Sequence, residues 1–76
     1  MKHVCLTYHM NRAGMDAETC ITLPMTEDNA QDLIANGEDS VVYRGNIAGI
    51  LQRLATIQGY NTASFCTAEM DRRWPE

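Results

Sequence analysis

Apolar and polar side chains alternate along the first part of the chain. In residues 2–10 every second side chain is apolar, a period of two that is typical of a half-buried strand. The apolar positions are Val4, Leu6, Tyr8 and Met10. Residues 11–14 have turn composition, with Gly14 free to take a positive φ, and residues 16–23 have the composition of a returning strand. The pattern predicts an antiparallel hairpin.

Two helix patterns follow the hairpin. Thr26 is a suitable N-cap, acids occupy the next two positions, and Asn36-Gly37 provides a stop signal. Asn46 can cap a second helix that ends before Gly59. Its apolar residues Ile47, Ile50, Leu51, Leu54 and Ile57 follow helical spacing.

Two further segments have strand character. Residues 40–44 form a short apolar run that could add an edge strand, and residues 60–70 predict a last strand. Seventy-six residues make a single small domain, residues 1–76. We therefore predict an α+β fold in which an antiparallel sheet, built from the N-terminal hairpin and the C-terminal strand, carries two helices on one face.

The hairpin register decides which side chains share the face away from the helices. Residue i of the first strand pairs with residue j of the second. The apolar side chains of both strands share one face only when the sum of the residue numbers, i + j, is odd. A turn at residues 11–14 sets that sum at 25 and places Cys5 directly across from Cys20. The opposite face then carries His3, Cys5, Thr7 and His9 beside Asp16, Glu18, Cys20 and Thr22.

Thiols and imidazoles on that face suggest a metal site. Cys66 joins them if Ala63 and Phe65 point to the core, although Ala68 and Met70 favour the other orientation. Three Cys and one His suit zinc, which would also stabilise a thin core. The predicted ligands are His3, Cys5, Cys20 and Cys66, with His9 as an alternative fourth ligand. Free thiols, a Cys5–Cys20 disulfide and a thiol-mediated dimer are the alternatives.

The net charge of the chain limits the kinds of molecule that it is expected to bind. Ten Asp and Glu against six Lys and Arg give a net charge of −4, which argues against direct binding of nucleic acid or of an anionic membrane. No apolar run is long enough for a membrane span, and no signal peptide is visible, so we expect a cytoplasmic protein of the producing or host cell.

The acids are concentrated in one part of the chain. Residues 13–43 hold seven acids and no Lys or Arg. This distribution predicts a surface that meets a basic protein partner, with the protein a monomer or a homodimer. The expected contacts are Glu27, Asp28, Asp32, Glu38 and Asp39.

Catalytic motifs are missing from the sequence. It has no Gly-rich phosphate loop, no metalloprotease motif and no nucleophile elbow, so we expect no enzyme. A small zinc-binding structural or regulatory module, and a thiol-based enzyme or redox sensor, are the alternatives to a binding protein.

A short, compact chain with these seven acids resembles the small inhibitor proteins of phages and mobile elements, of which the anti-CRISPR proteins are the best known. The resemblance covers size and acidic character, and no motif. It implies a non-enzymatic inhibitor that docks on a Cas nuclease of the Cas9 type, whose guide- and target-binding surfaces are basic.

Overall fold

The computed structural model of the chain describes residues 1–73, which form a three-stranded antiparallel sheet of order β2-β1-β3 and two α-helices. The strands are β1 (Lys2–Arg12), β2 (Met15–Met25) and β3 (Thr62–Met70), and the helices are α1 (Glu27–Asn36) and α2 (Ala48–Ile57). The predicted α+β class is confirmed.

The hairpin between β1 and β2 is tighter than the sequence predicts. Arg12 pairs with Met15, so only two residues form the turn, and both have positive φ: 44° at Ala13 and 86° at Gly14. Two consecutive positive φ values are typical of a type I′ turn, whose twist matches that of the strands. The numbers of paired residues therefore add up to 27, as in the pair Leu6 and Ile21.

The shorter turn corrects the predicted position of one cysteine pair. Cys5 lies opposite Thr22, and Cys20 lies opposite Thr7, so the two cysteines are diagonal neighbours rather than direct partners. The sum is still odd, and each side chain therefore keeps the face that the alternation predicts. We call the sheet face opposite the helices the outer face.

A bulge in β3 explains why apolar residues in its two halves predict opposite orientations of the strand. Tyr8 pairs with Phe65 while Thr7 pairs with Thr67, which leaves Cys66 unpaired and exposed between them. The extra residue shifts the alternation by one position. Phe65 before the bulge and Ala68 after it can therefore both pack against the core.

Helix α1 forms where its capping residues predict it. The Thr26 hydroxyl accepts a hydrogen bond from the Asn29 amide at 3.3 Å. At the other end Gly37 has φ 57°, and its N–H donates to the Leu33 carbonyl.

Gly37→Ala is expected to lower the free energy of unfolding by about 1–3 kcal/mol. Gly37 holds a conformation that side chains disfavour, and an added Cβ would lie 3.2 Å from Phe65 Cε1. Gly49→Ala is the matched control, because the Cβ there meets nothing within 4 Å and alanine favours helix by up to about 1 kcal/mol. Urea denaturation of both variants measures the two opposite shifts, and equal shifts would contradict this assignment.

The predicted edge strand at residues 40–44 is wrong, because the chain is helical from Val41 and makes a π-helical turn at Tyr43–Ile47 before α2. Asn46 lies inside that turn and is not a cap. The cap is the buried Ser40, whose hydroxyl accepts a hydrogen bond from the Tyr43 amide at 2.8 Å. A side-chain cap outweighs the strand preference of two consecutive valines.

One hydrophobic core joins the sheet to the helices. Its fully buried large side chains are Val4, Leu6, Leu33 and Leu51. Helix α1 packs on β1 and β3, and α2 packs on β3. Two core-facing apolar residues of β2, Ile21 and Leu23, are only half-buried, whereas Met25 at the end of the strand is buried. Neither helix in residues 1–73 has the length and apolar character needed to cross a membrane.

Candidate functional site

Five acids lie along α1 and the 3₁₀ turn Gly37–Asp39 that follows it, and we call them the acidic surface. They are Glu27, Asp28, Asp32, Glu38 and Asp39. Four of the five are exposed, and Asp32 is half-buried. The structure thus brings the predicted partner contacts onto one helix and its adjoining turn.

The two ends of the acidic surface hold charges that are free of ion pairs within residues 1–73. Glu27 and Asp28 occupy the first turn of α1, where the helix dipole favours negative charge. Glu38 lies in the turn after the helix. The pKa of Tyr43 is raised mainly by burial, and the nearby negative charge of Glu38 raises it further. These three carboxylates are available to a partner.

The other two acids have partners within the chain. Asp32 accepts hydrogen bonds from the Asn36 amide group at 2.8 Å and from the Val41 backbone N–H at 3.1 Å. Asp39 forms an ion pair with Arg44 at 3.3 Å, and both side chains are exposed, so the pair adds little stability. Asp32 therefore has a structural role that the sequence does not reveal.

Val41 gives the acidic surface an apolar neighbour. Its side chain is 81% exposed, although its backbone is fixed by the hydrogen bond to Asp32. The sequence does not reveal this residue, because two consecutive valines predict a strand at residues 40–44. An exposed apolar side chain beside acids suits an interface with an apolar centre and a polar rim.

The outer face holds a pair of thiols. Cys5 and Cys20 are diagonal neighbours on adjacent strands. The pKa of Cys5 is raised by burial, and further by the neighbouring Cys20, Asp71 and Glu69. A raised pKa keeps the thiol protonated at neutral pH, which is the opposite of an activated nucleophile.

Asp71 is the best-connected carboxylate of the outer face. It accepts hydrogen bonds from the Arg73 side chain, from the Arg73 backbone N–H at 3.0 Å and from the Thr22 hydroxyl at 2.6 Å. The Arg73 guanidinium, followed by Thr22, holds the pKa of Asp71 well below its usual range. The Asp71 N–H donates to the His3 carbonyl at 2.9 Å and so continues the β1–β3 pairing. Sequence reasoning missed this residue, since only the tertiary fold brings Thr22 to it.

A shallow concavity of about 500 Å³ lies beside these groups. Its lining includes Cys5, Cys20, Glu69, Asp71 and Arg73. Asp71 and Arg73 neutralise each other at 2.8 Å, so the concavity carries no concentrated charge of one sign.

The predicted zinc ligands are only partly brought together. Cys5 and Cys20 are neighbours, and His3 precedes Cys5 by two positions on the same strand. Cys66 lies in the bulge of β3, on the other side of β1 from Cys20. All three cysteines are free thiols. Within residues 1–73 no three Cys, His, Asp or Glu side chains form a group that could hold a metal ion. Zinc binding stays a prediction.

No protein-family model, curated protein or solved structure matches the chain.

Proposed function

We propose that this protein is a non-enzymatic inhibitor of the anti-CRISPR type, which docks its acidic surface on a basic surface of a Cas nuclease of the Cas9 type. The observation that carries the proposal is the group of exposed carboxylates at both ends of α1, within a 13–43 stretch that has no Lys or Arg. Opposite charge on a partner speeds association and favours that partner over others.

Val41 supplies the apolar contact of the proposed interface. Binding energy at protein interfaces is concentrated in a few desolvated side chains, while surrounding charges set orientation and association rate. Val41 is held in place through Asp32, so docking it costs little conformational entropy. The free carboxylates of Glu27, Asp28 and Glu38 form the rim.

The chemistry of the outer face supports a non-enzymatic role. A nucleophilic cysteine needs a lowered pKa, and Cys5 has a raised one. A general acid needs a pKa near neutral, and the pKa of Asp71 is lowered by Arg73.

Target-DNA cleavage by guide-loaded nucleases of the Cas9 type, titrated with the purified protein, tests the proposal. We expect stoichiometric inhibition without turnover, and a complex visible by size-exclusion chromatography. The triple variant Glu27→Gln, Asp28→Asn, Glu38→Gln should bind about tenfold more weakly or worse, because it removes the rim charges and keeps Asp32.

A charge-matched variant separates local contacts from net charge. Gln58→Lys, Thr62→Lys, Glu69→Gln alters exposed residues outside the acidic surface. Each substitution in either triple variant raises the net charge by one unit, so both variants carry a net charge of −1. The charge-matched variant should inhibit like the wild type. If both variants lose affinity equally, a specific acidic surface is excluded, and if no nuclease of the panel is bound, the Cas assignment is overturned.

A second pair of variants addresses the apolar contact. Val41→Ser should weaken binding, whereas Ile57→Ser, at a side chain 74% exposed at the end of α2, should not. Equal behaviour of the two variants would remove Val41 from the interface.

A further inference from the structure

Strand β2 has one edge that no strand covers in residues 1–73. The residues that flank a two-residue hairpin turn exchange hydrogen bonds, so odd-numbered residues of β2, beginning with Met15, bond to β1. The backbone groups of the even-numbered residues therefore point outward. They belong to Asp16, Glu18, Cys20, Thr22 and Pro24. Such an edge is a template for another strand.

We propose that a second copy of this chain pairs antiparallel with β2 along this edge, around a twofold axis at Cys20, to form a six-stranded sheet. A twofold axis perpendicular to the sheet keeps each face continuous between the copies. Residues that pair across the new interface must therefore lie on the same face, so their numbers add up to an even sum. Cys20 opposite Cys20 gives a sum of 40.

Strand length selects this register, because only a sum of 40 pairs the whole of β2 from Met15 to Met25, and charge excludes a sum of 36. With a sum of 36, Glu18 would face Glu18 of the second copy, and like charges directly opposite are destabilising. With a sum of 40, Glu18 faces Thr22 and Asp16 faces Pro24. No acid then faces an acid along the whole paired length.

Arg73 adds an exposed guanidinium beside Thr22, which Glu18 of the second copy would face. Its guanidinium lies 3.3 Å from the Thr22 hydroxyl and is 74% exposed, whereas the Asp71 side chain that it pairs with is 5% exposed. Glu18 of the second copy would therefore meet an accessible guanidinium over Thr22. The twofold axis repeats this contact, which gives two Glu18–Arg73 pairs in each dimer.

Packing and strand termination also fit a second copy. The helices pack on β1 and β3, and Ile21 and Leu23 of β2 are half-buried; with a sum of 40 they face Thr19 and Ala17 of the second copy. Pro24 has no N–H to donate and so ends the new ladder. The β3 edge is less suited to pairing, because the bulge at Cys66 interrupts it.

Sedimentation equilibrium of the reduced full chain, at concentrations up to about 1 mM, tests the proposal. We expect a dimer whose dissociation constant rises about tenfold or more in Glu18→Arg, because two arginines then oppose each other at each end of the interface. Glu69→Arg, at an exposed acid of the outer face on β3, should leave the dissociation constant unchanged.

Site-directed crosslinking locates the interface. Hydrogen-bonded antiparallel partners have Cα atoms about 5.5 Å apart, within the range that a disulfide spans. In Cys5→Ser, Cys66→Ser, diamide should link the two Cys20 thiols and take up their hydrogens. In Cys5→Ser, Cys20→Ser the remaining Cys66 should crosslink far more slowly. A wild-type monomer, a dimer insensitive to Glu18→Arg, or faster crosslinking through Cys66 would each overturn the proposal. Glu18 lies outside the acidic surface, so these results are independent of the nuclease assay.

Discussion

Leu6→Ala is expected to lower the free energy of unfolding by about 3 kcal/mol. Leu6 is 0% exposed and lies in the middle of the central strand, between Ile21 of β2 and Ala68 of β3. Truncation loses the burial of the side chain and leaves a cavity between the sheet and the helices. Domains of this size have little stability to spare, so a large share of the variant should be unfolded under mild denaturing conditions. Urea denaturation measures the loss from the shift in midpoint.

Ile57→Ala is the control for Leu6→Ala. The Ile57 side chain is 74% exposed at the end of α2, and its truncation should change the free energy of unfolding by less than about 0.5 kcal/mol. A loss below about 1 kcal/mol for Leu6→Ala would mean that the sheet and the helices do not pack as described.

Asp71→Asn is expected to lower the melting temperature at neutral pH by several degrees, and the difference from wild type should shrink in acid. The folded-state pKa of Asp71 is lowered, chiefly by Arg73. The unfolded chain therefore takes up its proton first as the pH falls. The stability from Asp71 is complete above the ordinary carboxyl pKa of about 4 and is lost progressively below it. Thermal unfolding between about pH 7 and about pH 2 measures this trend.

Glu69→Gln is the matched control for the acid dependence. Glu69 is an exposed acid on the same face, two residues before Asp71. Its substitution should leave the melting temperature close to wild type throughout the pH range. A constant difference between wild type and Asp71→Asn at every pH would contradict the ionised Asp71–Arg73 contact.

Local patterns predict the elements whose stabilising contacts are local. The alternation around Leu6 is sufficient for the hairpin and for its two faces, and the Thr26 cap with Gly37 is sufficient for α1. The turn length was not predictable, because Ala13 takes a positive φ that its side chain disfavours and that the pairing of two long strands imposes. The shorter turn changes the sum of paired residue numbers from 25 to 27, so Cys5 does not pair directly with Cys20.

Three other features were not predicted from the sequence. Val41 belongs to a helix because Ser40 caps it, although the valine pair alone favours a strand. The bulge at Cys66 reconciles Phe65 with Ala68, and no alternation pattern identifies it in advance. Asp71 acquires its lowered pKa from Arg73 and from Thr22, which is 49 positions away in the chain. The acidic surface, in contrast, was visible in the sequence, because its residues lie on one helix and the turn that follows it.

The salt dependence of binding to a nuclease of the Cas9 type tests the proposed function most directly. Titration calorimetry at increasing sodium chloride should show the wild-type dissociation constant rising steeply with salt, since exposed charges are screened over about 10 Å at 0.1 M. The variant Glu27→Gln, Asp28→Asn, Glu38→Gln should show a much flatter rise. A wild-type dissociation constant that does not change with salt would contradict docking through the acidic surface.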